Sequence, residues 1–561
     1  MRILATFTGA FALGIFLAQY LLPASWLLPC GAAVFALAFG RLLLRNDMGR
    51  RLLLVCVGLS LAFGYDWLYI REVQRPLEAL AGADREAVMT LCDYAVSTDY
   101  GAKVTVRLEG LSGKTLYYGN TELLDLEPGQ TVTDLVYLQS AARIRDDDVT
   151  SFTSKGVFLL AYRRGEASFG EGTSGSPRWW PVRMGHAMQT RISELFDGDA
   201  AGFLTAILTG DKSELSVEGA AALSEAGLYH ILAVSGMHCG FLLALVTYLT
   251  GRHRRRLKAA CALPLLAFYA ALTGGSPSVL RACVMLAFLL AAPLLRRDSD
   301  GPTALATALF LILLVNPFAA ASISLQLSFA AMAGILWLTP RLYRLLMHSG
   351  KGNRLTRFLA AGFSATMGAL VFTVPLSGGY FGTLTLIAPL SNLLCLWAAS
   401  GVFLLGLLTV LTSFVCPPLA GLLTVFPGLL IRYILFAAGR AVLTILPPVG
   451  EGGDNEQGLS VLATSGNEDL LITGDMNAAT ERKLLETFVL PDIEVLVTGH
   501  HGSKYSTCND LLDALTPETA CISVGSNSYG HPADETLRRL AEHGCAVYRT
   551  DMQGNIHLSL N

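Results

Sequence analysis

The sequence predicts a polytopic α-helical membrane protein with a small β unit inserted near the N-terminus and an α/β unit at the C-terminus. Three observations carry this. The 561 residues are 52% hydrophobic and only 15% charged, the balance of a membrane protein. Apolar runs of roughly 20 residues alternate with basic loops, as membrane passes do. Two stretches, 71–180 and 449–561, leave that pattern for short β-rich segments separated by turn residues. The net charge of −3 excludes a generally basic nucleic-acid binder. The 11 cysteines are scattered without a C-x-x-C pair, which excludes a zinc ribbon and gives no disulfide framework.

Residues 1–70 read as three N-terminal transmembrane helices, Ile3–Leu22, Trp26–Leu44 and Leu52–Ile70. The first run is too long for a signal-peptide core, and two similar runs follow it. Arg41, Arg45, Arg50 and Arg51 mark the loop before the third helix as cytoplasmic, so that helix exits on the outer side. Residues 71–180 contain Thr90–Ser97, Lys103–Leu108, Thr131–Gln139 and Gly156–Tyr162, punctuated at Ser112–Lys114 and Glu127–Gln130. Such segments build a small barrel or a sandwich. With 16 acidic and 12 basic residues this unit lacks the basic groove of a single-strand binder, and a spacer or docking role fits as well.

Residues 181–226 read as amphipathic interfacial helices, and 227–448 as the main membrane domain. That domain opens with G-L-Y-H-I-L-A-V-S-G-M-H-C-G from Gly227, which sets His230, Ser235 and His238 among apolar neighbours. Tyr269, Ser278 and Arg281 follow, then Asn316, then Gln326 and Ser328, then Asn392. At membrane depth such groups need partners or a wet cavity, so they form a candidate polar pathway. Each taken singly also has an ordinary reading: helix packing, a satisfied core histidine, a snorkelling arginine. Basic clusters at Arg252–Lys258, Arg296–Arg297 and Arg341–Arg357 recur after alternate passes. The count comes to about eleven passes, which leaves Val449 onward outside the cytoplasm.

The chain resembles the ComEC family of competence DNA-internalisation channel proteins. The resemblance lies in the Gly227 stretch, Y-x₄-G-x₃-S-x₂-R-A from Tyr269, N-P at Asn316 and Q-L-S-F at Gln326, all in order. It also lies in L-E-P-G-Q followed by S-K-G-V-F-L-L-A-Y, similar to the end of that family's OB domain, and so implies an OB-like barrel for 71–180. It implies an inner-membrane, multi-pass channel for single-stranded DNA in natural transformation, with the barrel and the C-terminal unit extracytoplasmic. Implied partners are single-stranded DNA, a DNA receptor, a cytoplasmic helicase-type motor and membrane lipids, with room for a homo-oligomer. The alternatives are a secondary transporter for another anionic substrate and a membrane scaffold.

In the C-terminal unit, strand-like segments end in Gly474-Asp475, in G-H-H-G-S-K at Gly499–Lys504 and in Y-G-H-P at Tyr529–Pro532. Carboxylate and imidazole at strand ends suit Zn²⁺ or Mn²⁺. The order resembles the later half of the metallo-β-lactamase-fold nuclease domain of many ComEC proteins. The resemblance implies Asp475, His500, His501 and His531 as metal ligands, and Asp475, His501 and Lys504 as catalytic groups. The D-V-G-Q-G-D strand and H-x-H-x-D-H loop of that domain are absent from the sequence. Metal binding is therefore expected to be weak or lost, and the chain alone inactive as a nuclease. A half-domain also leaves an open sheet edge, to be covered by another chain or left poorly ordered.

Overall fold

The computed structural model describes residues 3–39, 47–98, 100–144, 147–251, 253–296, 298–347, 353–381, 384–385, 387–438, 442–449, 458–465, 468–525, 527 and 529–556. Arg41, Arg45, Arg252, Arg297 and the linker residues 450–457 lie outside this set. Six described helices are long and apolar enough to cross a bilayer: Ile3–Leu21, Asp47–Glu78, Pro277–Leu294, Thr356–Phe381, Ala388–Ser413 and Pro417–Ala438. A seventh candidate is the pair Ile323–Trp337 and Thr339–Leu346, bent by 41°.

Eleven passes were expected from the sequence, so the count is corrected to six or seven among the described residues. The apolar helices Ala24–Leu37, Gly198–Thr209, Gly236–Thr250 and Gly301–Val315 account for most of the difference. A helix of 15 residues, such as Gly236–Thr250, rises about 22 Å, short of a hydrocarbon core of about 30 Å. The second of the three expected N-terminal spans is one of these short helices. Gly198–Thr209, expected at the membrane surface, is enclosed by protein, with Ala201 to Thr209 all buried. Its apolar residues complete one large core with the Gly236–Thr250 and Ala388–Ser413 helices.

The β unit is a closed five-stranded barrel of β1 (Ala83–Leu91), β2 (Gly101–Leu108), β3 (Lys114–Gly119), β4 (Thr131–Ser140) and β5 (Val157–Arg163). The strand order is β1-β2-β3-β5-β4, and β4 pairs back onto β1 to close the ring. All pairings are antiparallel except β3 with β5. Alternation of buried and solvent-facing residues along β2 and β4 sends Val104, Val106, Val132 and Val136 inward. β3 is not among the β segments marked by the sequence, which places a turn at Ser112–Lys114 where it begins; its Tyr117 is buried and donates to the Asp134 carboxylate at 2.6 Å. Burial, with Asp134 alongside, pushes that phenol's pKa up.

The barrel sits directly on the membrane part. Tyr69, Val73 and Leu77 at the end of the Asp47–Glu78 helix pack into its core, and so does Phe318 from the turn Pro317–Ala321. Phe318 meets Phe158 edge-on at 5.5 Å.

The C-terminal unit is a seven-stranded mixed sheet in the order β6 (Leu384–Thr385), β7 (Val442–Leu446), β8 (Ser460–Ser465), β9 (Glu468–Ile472), β10 (Val495–Val497), β11 (Thr519–Ile522) and β12 (Ala546–Arg549). β6 to β9 pair antiparallel, and β9 to β12 pair parallel. The open edge expected of a half-domain is therefore covered from within the chain. Val442–Leu446, read from sequence as the end of the membrane domain, covers β8, and a strand from the loop before the Ala388–Ser413 helix covers Val442–Leu446 in turn.

Candidate functional site in the membrane domain

In sequence the Gly227 stretch begins like a buried membrane helix. It folds instead as a short turn of helix, Tyr229–Leu232, an extended break through Ala233 to Ser235, and a second helix, Gly236–Thr250. The first helix ends where Ala233 turns extended (φ −76°, ψ 121°), and Ser235 caps the second. Its backbone is extended (φ −136°, ψ −179°), its hydroxyl accepts from the Met237 N–H at 3.3 Å, and its own N–H donates to His238 Nδ1 at 3.0 Å. Gly227 sits at φ +70°, and a Cβ there would approach Ala388 Cβ to 2.6 Å. Only glycine lets the start of this stretch lie so close to the Ala388–Ser413 helix.

Four of the residues singled out from sequence share one property. His238 (0% exposed), Asn392 (6%), Tyr269 (7%) and Arg281 (9%) are buried, and each carries a polar atom without a hydrogen-bond partner: Nε2, Oδ1, Oη and Nε. His238 and Tyr269 both pack on Phe403, with ring centroids 4.9 and 6.3 Å away. Arg281, on the neighbouring Pro277–Leu294 helix, brings its guanidinium to Gly236: a Cβ built there would lie 3.6 Å from Nη2. Unsatisfied groups at this density are rare in folded proteins, because each costs the full desolvation of a donor or acceptor.

The other sequence candidates go elsewhere. His230 is exposed and its Nδ1 lies 2.9 Å from the Gly227 carbonyl oxygen. Ser278 and Ser328 meet across two helices at 3.2 Å. Gln326 is satisfied, donating to Tyr20 at 2.6 Å and to the Ala320 carbonyl at 2.9 Å, and accepting from Tyr380 at 2.7 Å. These residues help line a cavity of about 380 Å³ with Phe16, Leu309, Leu325, Phe329 and Leu376. Asn316 faces the barrel, where its Nδ2 donates to the carbonyls of Thr153 and Ser154, both at 3.1 Å.

In the C-terminal unit, His500 and His501 both hold left-handed backbone (φ +48° and +56°). The His500 ring lies 5.7 Å from that of His531, whereas His501 turns its Nδ1 to the Ser523 carbonyl at 2.7 Å. Asp475 is exposed in the turn after β9, and Lys504 leans over Tyr505. Among the described residues no group of three His, Cys, Asp or Glu side chains is placed to hold a metal ion. Sequence reading missed the groups that hold this loop. Glu481, fully buried, accepts the N–H groups of Thr507 and Cys508 at 2.7 and 2.9 Å. Arg539 Nη2 donates to the carbonyls of Lys504 and Ser506. A carboxylate on the polar helix Ala478–Thr487 carried no signal of burial.

Residues 207–447 match the family model described as Competence protein. The chain is 37% identical over 103 residues to ComE operon protein 3 of Bacillus subtilis, a match covering 18% of this chain and 13% of that protein. It is 35% identical over 109 residues to Competence protein ComA of Neisseria gonorrhoeae, covering 19% and 16%. It is 36% identical over 107 residues to Recombination protein 2 of Haemophilus influenzae, covering 19% and 13%. The matched segments thus span less than a fifth of each relative. No solved structure matches. Through this central region, which holds the broken helix and its buried polar groups, the chain is similar to the competence protein family.

Proposed function

We propose that this chain is an inner-membrane channel protein of bacterial DNA uptake, passing single-stranded DNA during natural transformation. The observation that carries the reading is the set of buried, unpartnered groups of His238, Tyr269, Arg281 and Asn392 in the region matched to the competence family. A pure packing role leaves such groups without reason, whereas a polar pathway occupied by water and a polyanion satisfies them. The five-stranded barrel, in the strand order of an OB fold, stands on the outer side and acts as a fixed mount beside the pathway. The C-terminal unit shares that side. A DNA receptor, a cytoplasmic motor, lipids and a second copy of the chain complete the partners this role requires.

A second reading, transport of a smaller anion, is favoured by the same buried Arg281, since one cation inside a helical domain also suits a small solute. The two separate in a deletion strain complemented with this chain and given labelled DNA. Nuclease-protected DNA in the cytoplasm supports uptake. Normal membrane levels of protein with no protected DNA would reject uptake in favour of the smaller substrate. The C-terminal unit is assigned no catalytic step.

A further inference from the structure

We infer that the break at Ala233–Ser235 is an oxyanion site that holds a phosphate group between the first turn of the Gly236–Thr250 helix and the guanidinium of Arg281. It rests on the uptake reading only for its physiological ligand, the phosphodiester of nucleic acid; anion binding itself stands on geometry and charge.

Arginine stays protonated in proteins, so Arg281, 9% exposed, is a buried cation. No ion pair or hydrogen bond reaches it among the described residues, and its Nε is without a partner. Its neighbours have no charge to offer: the helices Gly236–Thr250, Arg255–Leu272, Pro277–Leu294 and Ala388–Ser413 contain no Asp or Glu. A buried charge without a counter-charge is strongly disfavoured, so the compensating anion must come from outside the chain.

The second observation is the helix that starts beside it. Gly236–Thr250 has 15 residues and begins after an extended break, with Ser235, Gly236 and Met237 half-buried and His238 fully buried, so its positive end is partly screened from water. Half-helices that begin at membrane depth commonly aim that end at an anionic group. Gly236 at the first helical position leaves the approach open, because a Cβ would already lie 3.5 Å from Ala282 Cβ and 3.6 Å from Arg281 Nη2.

The unpaired neighbours point to the same ligand. His238 Nδ1 accepts the Ser235 N–H, so in the neutral ring the proton lies on Nε2, a buried donor with no acceptor. Tyr269 Oη–H is another such donor in the same core. A region rich in donors, poor in acceptors and carrying one fixed cation suits a tetrahedral oxyanion better than a halide, since each oxygen accepts separately.

The experiment uses the full-length chain purified in a phosphate-free sugar detergent. Calorimetry is run with inorganic phosphate, with a short oligothymidylate and with chloride, on the wild type, Arg281→Gln, Arg281→Lys and Gly236→Ala. The site predicts saturable binding of phosphate or oligonucleotide, weakened at least tenfold in Arg281→Gln and less in Arg281→Lys. Gly236→Ala guards against misfolding: its methyl makes only ordinary contacts, so the ligand-free melting temperature stays at wild type while affinity falls. Binding of phosphate without oligonucleotide supports the site with a free anion as ligand. Absence of saturable binding by the wild type, or equal affinity in all variants, overturns it. DNA uptake by a protein that binds neither probe overturns this site and leaves the uptake reading standing. Anion binding lost in Arg281→Gln, with uptake unchanged, keeps the site and removes it from the DNA route.

Discussion

His238 works through both ring nitrogens: Nδ1 takes the Ser235 N–H at 3.0 Å and helps start a helix, while Nε2 is left as a buried donor. His238→Ala therefore removes a cap and a polar group together. The cap alone is worth about 0.5–2 kcal/mol, too little to unfold a large membrane domain, so the protein should still accumulate. Protected DNA per unit of membrane protein should fall at least tenfold, and unchanged uptake would count against a polar pathway through this residue. Glu481 makes a different residue-scale case. Burial first, against the backbone N–H groups of Cys508 and Thr507, raises its carboxyl pKa above the ordinary glutamate value. A group raised on folding binds its proton more tightly in the native state. Its stabilising share is thus full below the unfolded value and is lost as pH rises through the folded one. Glu481→Gln should flatten that slope and, because its amide keeps only one acceptor oxygen for the two N–H groups, destabilise the loop by about 1–3 kcal/mol. Pulse proteolysis of the intact chain in urea, repeated from acid to neutral pH, measures both effects; an identical slope in the variant would refute the assignment.

Between elements, the mount of the barrel is the most specific contact. One amide, Asn316 Nδ2, holds two consecutive carbonyls of the loop before β5, while Phe318 two residues on enters the barrel core beside Phe158. Tyr65 adds a hydrogen bond to the Leu314 carbonyl at the end of the same helix. Asn316→Ala should leave the barrel folded, because its closed strand ring is untouched, but loosen its seat by about 1–3 kcal/mol. Hydrogen exchange in Thr153–Val157 should speed up while β1 and β4 keep wild-type protection. Equal loss across the whole barrel would mean that Asn316 supports the barrel's folding and not its docking.

Over the whole molecule, the short helices leave sidedness to the basic loops. Cysteines placed at Tyr100 and Val489, both fully exposed, should be labelled from outside the cell, and one at Arg254 only after permeabilisation. The background for this needs Cys261 and Cys416, the exposed native thiols, replaced. Labelling of Arg254 and Val489 from the same side would reject the arrangement. The C-terminal sheet shares β6 and β7 with the membrane part, so it is anchored there rather than tethered by the linker alone. Its His and Asp residues do not gather into a metal-ligand group, and paired metals are what in-line attack on a phosphodiester requires. Purified protein with Mn²⁺ or Zn²⁺ should leave single-stranded DNA intact. Metal-dependent cleavage that disappears in Asp475→Ala would show instead that a rearranged or intermolecular site completes the centre.

The polytopic architecture, the β unit after the third apolar run and the α/β character of the C-terminal unit were all legible in the residues. Hydrophobic run length and alternation are local properties, and they report directly on burial. The same patterns also marked His238, Tyr269, Arg281 and Asn392, since polar side chains in apolar runs stand out without any coordinates. Tertiary structure alone decided which of them belong together. It turned Asn316 toward the barrel, satisfied Gln326 with two tyrosines, and left Arg281 facing a helix start that no periodicity revealed, because an extended break of three apolar and small residues reads like the helix around it. It also closed the sheet edge with a strand drawn from the end of the membrane domain. Edge pairing depends on which backbone arrives from far along the chain, and local sequence carries no record of that.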